Sequence, residues 1–133
     1  MIVVDANVII YAIVESPKTV LAKRIAAHDA EWVVPPLWRY ECTSALATLV
    51  RAKALDMEKA IAALAEAHQL TVERELAVDQ EEVINAAIRF NLSAYDAQYV
   101  ALALNISVQC VTADIRIIAN ASGIAVSLEQ YLV

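Results

Sequence analysis

In 133 residues the chain has one glycine, Gly123. That scarcity removes two large classes of nucleotide-binding protein. A P-loop and a G-x-G-x-x-G dinucleotide turn each need several glycines, so that backbone amides can close on a phosphate. Cysteine is nearly as rare. Cys42 and Cys110 each lie inside an apolar segment, which predicts two buried free thiols in a reducing compartment. Neither has a histidine nearby in sequence, and no serine stands in G-x-S-x-G. The two histidines, His28 and His68, each fall in the last turn of an expected helix, where partial positive charge is welcome, and support no competing site. Basic residues are outnumbered, ten Lys and Arg against sixteen Asp and Glu, for a net charge of −6. This argues against a general nucleic-acid coat protein, whose affinity comes from neutralising phosphates. It leaves room for a nuclease whose acids are concentrated at a metal site, because bound cations reverse the local field.

Membrane signals are also missing. Met1 leads into an apolar strand with no basic n-region, so no signal peptide is expected. The longest uncharged stretch, 97–113, is interrupted by Gln98, Asn105, Ser107, Gln109 and Thr112, and reads as helix then strand. A cytoplasmic protein is the expectation.

What the chain has in quantity is apolar residue, 60% of the total. That suffices for one core in one domain spanning 1–133, with an excess that suggests apolar surface left for a partner. Ile2, Val3 and Val4 are a β-branched run suited to a strand buried on both faces, and Asp5 closes it. Helices are expected over 8–14, 18–28, 37–54 and 57–69, the last capped by Asp56 and carrying Ile61, Leu64, Ala65 and His68 on one face. Glu31 to Val34 read as a short strand stopped by Pro35 and Pro36, and the alternation from Leu70 to Leu76 reads as another. Further helices follow over 80–90 after Asp79, from Ser93 to Asn105, and from Asp114 to Ala121. Strands are expected at 106–112 and 124–126. Strands alternating with helices imply an α/β fold: a three-layer sandwich around a mostly parallel sheet.

Four acids stand out. Asp5 and Asp114 each end a buried strand and start a helix. In a parallel sheet they share the carboxyl edge, where open α/β sheets bind ligands. Each could instead be a helix N-cap. Glu41 lies at the border of the stripe Trp38, Cys42, Ala45, Leu46 and Leu49, so its carboxylate is directed partly into the core or tilts out to a surface ion pair. Asp96 stands three residues after Ser93, the spacing of a capping box, which also sets it at the rim of the sheet. Thr112 could add a hydroxyl that orients a ligand. Clustered carboxylates repel one another, and few basic residues are near them in sequence, chiefly Arg39 and Arg116. A divalent cation with hard oxygen ligands, Mg²⁺ or Mn²⁺, resolves the repulsion most simply.

These segments resemble a known family. Val3-Val4-Asp5-Ala6-Asn7-Val8-Ile9 is similar to the opening motif of PIN domains, and Glu41 to Leu46 is similar to their second motif, a helical Glu followed by small residues. Ser93 to Ala103 matches the third and Val111 to Asp114 the fourth, in order and over nearly the whole chain. Ala6, Ser44 and Ile117 depart from commoner residues of the family, and none of these removes a carboxylate. The length is similar to that of VapC toxins. The resemblance implies a Mg²⁺- or Mn²⁺-dependent ribonuclease, usually a homodimer, held inactive by a cognate VapB-type antitoxin. Asp5, Asp96 and Asp114 would hold metal, with Glu41 completing the site. Asn7 and Thr112 would support it, and Arg39 and Arg116 would contact phosphate. Trp32, Trp38 and Tyr40 around the long helix are either ordinary core or a surface for a second copy or an antitoxin helix. Two alternatives remain open: a PIN-like interaction module whose acids are only caps, and a phosphatase with Asp5 as nucleophile, although Asn7 stands where a D-x-D motif needs its second acid.

Overall fold

The computed structural model describes residues 1–133. Four short strands, β1 (Ile2–Val4), β2 (Trp32–Val33), β3 (Cys110–Val111) and β4 (Ala125–Val126), form one sheet in the order β2-β1-β3-β4, with every pair parallel. Parallel neighbours cannot be joined by a tight turn, so each connection carries helix. Helices α1 (Ala6–Ile13) and α2 (Thr19–His28) join β1 to β2. Helices α3 (Trp38–Arg51), α4 (Met57–Leu70), α5 (Gln80–Phe90) and α6 (Ala94–Asn105) lie between β2 and β3. Helix α7 (Ile115–Asn120) precedes β4, and α8 (Leu128–Tyr131) follows it. The architecture is the expected α/β sandwich.

Its connectivity has one consequence for function. From β1 the chain moves outward to β2, then returns to add β3 on the other side of β1. The strand order therefore reverses between β1 and β3, which makes a crevice at their carboxyl ends. Val4 pairs with Val111, and the Asp5 amide donates to the Val111 carbonyl at 3.0 Å, so Asp5 and Thr112 leave the sheet side by side.

A core of thirty buried residues surrounds β1, whose three residues are fully buried as the β-branched run predicts. Trp32, Trp38 and Tyr99 are its largest side chains. Of the two readings of the aromatics, core holds for both tryptophans, and only Tyr40 of the three stays exposed. Cys42 and Cys110 are buried free thiols. Burial pushes the Cys42 thiol up to about 12 and Cys110 well above its ordinary value.

Three expectations are corrected. Residues 70–76 are not a strand, because α4 runs on to Leu70 and Thr71 closes it by donating its hydroxyl to the Ala67 carbonyl at 3.0 Å. Arg74 then donates to the carbonyls of Ala30, Trp32 and Leu70, which folds the segment along β2, and Glu75 makes only an isolated bridge to Val34. The strand expected over 106–112 is shorter. Ser107, at φ 57°, and Val108 turn back to bond the end of α6, which leaves Cys110–Val111 for the sheet. Finally, α4 buries Ala60, Ala63 and Ala67 rather than the face with Ile61 and Leu64. Small residues let α4 approach α1 and α3 closely, and the larger apolar side chains are left outside.

Candidate active site

The four acids reach the carboxyl edge by different routes. Asp5 follows β1 and is buried. It holds the N-cap position of α1 but makes no capping bond with its side chain. Instead its Oδ2 accepts the Thr112 hydroxyl at 2.8 Å and the Asn7 side-chain amide at 3.3 Å. Thr112 is fully buried and its hydroxyl is saturated. While donating to Asp5, it accepts from the Asn7 amide at 3.3 Å and from the Asp114 backbone amide at 3.0 Å. Asn7 Oδ1 accepts the Ala113 amide at 3.2 Å. One polar network thus stitches the end of β1 to the end of β3 and fixes where both strand-end acids lie.

Asp114 does cap its helix. Its Oδ1 accepts the amides of Arg116 at 2.9 Å and Ile117 at 3.3 Å, so the other oxygen faces away from those bonds. Asp96 lies in the first turn of α6, where Ser93 Oγ accepts its amide at 3.1 Å. The reciprocal bond of a full capping box forms elsewhere, between Ser127 and Gln130. Glu41 is half-buried in the first turn of α3, and its Oε1 accepts the hydroxyl of Tyr99 on α6.

The electrostatics follow from this crowding. Burial, opposed by the Thr112 hydrogen bond and reinforced by Glu41 and Asp96, pushes the Asp5 carboxyl up to about 7. Burial also raises Glu41, with Tyr99 pulling back and Asp96 pushing further. Asp96 is raised by burial and then by Asp114. Arg116 is the only basic residue that pulls any of these three down, and it acts on Asp96. The three ion pairs of the molecule, Met1 with Asp29, Lys18 with Glu129 and Arg39 with Glu75, all lie outside the cluster. Four carboxylates within electrostatic reach, one of them buried and almost without cations, are a donor set that suits a hard divalent ion. As placed, no three His, Cys, Asp or Glu side chains come close enough together to hold an ion directly. The residues fit an ion that keeps several of its waters, as Mg²⁺ does.

Of the two arginines, Arg116 lies beside Asp96 and donates to the Asn91 carbonyl at 3.4 Å. Arg39 is bound to Glu75 at 2.6 and 3.3 Å, and Glu75 also accepts the Trp38 indole at 2.8 Å. Tyr99 was not singled out from the sequence. The available signal was its place three residues after Asp96, on the same helical face, together with a phenol that must find a partner if buried. Burial and the nearby carboxylates push that phenol far above its usual range, so it stays protonated and donates.

An all-parallel sheet with acids gathered near its switch point defines a class of α/β domain, and sequence comparison specifies the class. The PIN domain family matches residues 2–123, and the chain belongs to that family. PIN domains are typically nucleases that use divalent metal ions. Among solved structures, PAE2754 from Pyrobaculum aerophilum is 23% identical with a TM-score of 0.78, over 98% of this chain and 85% of that one. FitAcB from Neisseria gonorrhoeae is 19% identical with a TM-score of 0.70, over 97% and 99%. At such identities the likeness concerns the fold. Nothing among curated proteins matches the chain. No helix is long and apolar enough to cross a membrane.

Proposed function

We propose that this chain is a Mg²⁺- or Mn²⁺-dependent ribonuclease, and the toxin of a VapBC-type toxin–antitoxin pair. The observation that supports the reading is the electrostatic coupling of Asp5 with Glu41 and Asp96, and of Asp96 with Asp114, beside the β1/β3 switch point, with a buried network there whose bonds end on Asp5. Asp5, Asp96 and Asp114 would hold the ion, and Glu41 would complete the site or orient the attacking water. When bound, the ion would lower the pKa of that water and offset charge on the scissile phosphate. Thr112 and Asn7 keep Asp5 in one orientation, and Asp114 stays in place because it also caps α7. Arg116, beside Asp96, would contact a phosphate. Arg39 would do so only by leaving Glu75.

Asp96→Ala and Asp5→Ala are expected to abolish Mn²⁺-dependent cleavage of RNA while circular dichroism shows the fold intact. Full activity in either variant sinks the assignment. A VapB-type antitoxin and a homodimer complete the proposal. The first is tested by co-expression with any short reading frame beside the gene, the second by light scattering. One observation favours the reading of a non-catalytic interaction module: Asp114 and Ser93 do make capping bonds, as caps alone would. Calorimetric titration with Mn²⁺ separates the two, since a pure interaction module has no site that Asp5→Asn removes.

A further inference from the structure

Glu41, in the first turn of α3, is the one acid of the four whose side chain is long enough to swing away from the site. Asp5, Asp96 and Asp114 stand at strand ends or helix starts and have short side chains. Glu41 sits on the flank of α3 with three rotatable bonds, and half-buried it has an easy way out to solvent. Its carboxylate is held by one hydrogen bond, the Tyr99 hydroxyl donating to Oε1. Tyr99 is itself immobilised, with a relative exposure of 1% in the core. Its position on α6 one turn after Asp96 makes the contact a link between the helix that carries one acid and the helix that carries another. Packing alone does not call for the hydroxyl, because phenylalanine would fill the same space. Its hydrogen bond in the structure is to Glu41, and it leaves Oε2 of that carboxylate uncommitted.

We infer that Tyr99 is a positioning residue: its hydroxyl holds the Glu41 carboxylate at the cluster and thereby sets the affinity of the site for a divalent ion. This rests on the metal-dependent reading above. Partners that orient a metal-site carboxylate typically change affinity or activity by about 10- to 100-fold when removed.

The test is a double-mutant cycle of Tyr99→Phe and Glu41→Ala, in which each single variant removes the hydrogen bond, read by calorimetry with Mn²⁺ alone and by cleavage of an RNA oligonucleotide. Tyr99→Phe should weaken Mn²⁺ binding about tenfold or more and lower kcat to match. KM for RNA should stay unchanged, and the melting temperature in EDTA should fall by no more than the loss of one hydrogen bond explains. In the Glu41→Ala background the same substitution should add nothing. Unchanged Mn²⁺ affinity in Tyr99→Phe overturns the inference and leaves the metal-dependent reading standing. Equal losses in both backgrounds overturn it too, since Tyr99 would then act through packing. A wild-type protein that binds no Mn²⁺ sinks the reading and the inference together. Should Tyr99→Phe fail to fold, Glu41→Asp withdraws the carboxylate from an intact Tyr99. Its Mn²⁺ affinity should fall similarly, and an undiminished affinity overturns the inference.

Discussion

Helix α3 borders two depressions built on opposite principles. Its first turn faces the crevice at the strand ends, where Glu41 meets Tyr99 and the other acids. Its second half faces a groove of about 380 Å³ against α4, lined by Leu46, Ala47, Val50, Ile61 and Leu64. The groove is the more inviting apolar cavity, yet it holds no acid and no network. In the crevice, buried polar groups are saturated by one another and carboxylates are crowded against their own repulsion. Apolar burial stabilises a fold wherever it occurs. A cluster of raised acids costs stability, and such a cost concentrates where function needs it. Perturbing each depression should therefore give different signatures, and the expected effects can be ranked.

The largest belongs to the groove. Leu46 is buried against Ala60 and Ala63. Leu46→Ala should destabilise by about 2–3 kcal/mol, toward the low end for leucine because the cavity opens onto the groove and can hydrate. Urea denaturation measures the loss, and Mn²⁺ affinity should not change. A parallel fall in affinity would mean that the two depressions are one mechanical unit.

Next is the pH response of the crevice. An acid with a higher pKa folded than unfolded binds its proton more tightly in the native state. The stability that Asp5 gains this way is complete below its ordinary value of 3.8 and is lost as pH rises to about 7. Glu41 and Asp96 are raised in the same direction. Asp29, Glu75 and Glu129 are lowered, so their contributions are complete above the ordinary carboxylate range and are lost only on acidification. Between pH 5 and 7.5, in EDTA, stability should fall by about 2 kcal/mol. Thermal melts across that window check this. Asp5→Asn should flatten the slope, and Mn²⁺, which binds the ionised form, should oppose it. A flat wild-type profile would mean that Asp5 is ionised without help.

The polar network gives a smaller effect on stability. Thr112→Val keeps the shape of the side chain and removes one hydroxyl that serves Asp5, Asn7 and the Asp114 amide. Left without that partner, these groups should cost about 1–2 kcal/mol, measured by denaturation. In contrast to Leu46→Ala, Mn²⁺ affinity should fall as well. Loss of stability with affinity intact would break the distinction between the two regions.

How much of this could be read from residues alone follows the same division. The strand at Ile2–Val4, its partner ending at Thr112, and the two acids beyond them were legible because β-branched runs followed by Asp leave a local pattern. The border position of Glu41 was legible from helical spacing. Which carboxylate forms a cap was not. Asp5 and Asp114 occupy the same local setting, and only the tertiary partner Thr112 takes Asp5 away from α1 while Asp114 stays bonded to α7. The buried face of α4 was misread because periodicity weights large residues, whereas close helix packing selected Ala60, Ala63 and Ala67. Helix ends were the least legible feature, and the shortage of glycine is the reason. Helices α3, α5 and α6 close with Lys53, Asn91 and Ser107 at positive φ, where glycine usually announces the stop.

That shortage yields the smallest prediction, at the turn that joins the two walls of the groove. Lys53 has φ 60°. Its amide bonds the Val50 carbonyl at 3.0 Å, and the Ala54 amide bonds the Leu49 carbonyl at 2.9 Å. These are the two bonds of a Schellman motif, with Lys53 as the left-handed residue after the C-cap Ala52. An L side chain there costs about 1 kcal/mol relative to glycine, while glycine gives back part of that through the greater freedom of the unfolded chain. Lys53 is exposed and has no ion pair to lose. Lys53→Gly should therefore stabilise by about 0.5 kcal/mol, seen as a higher urea midpoint at unchanged slope. Mn²⁺ affinity should stay where it was, because the turn stands at the far end of α3 from Glu41. A destabilised variant would show that the lysine side chain holds the α3–α4 turn by contacts worth more than its backbone strain.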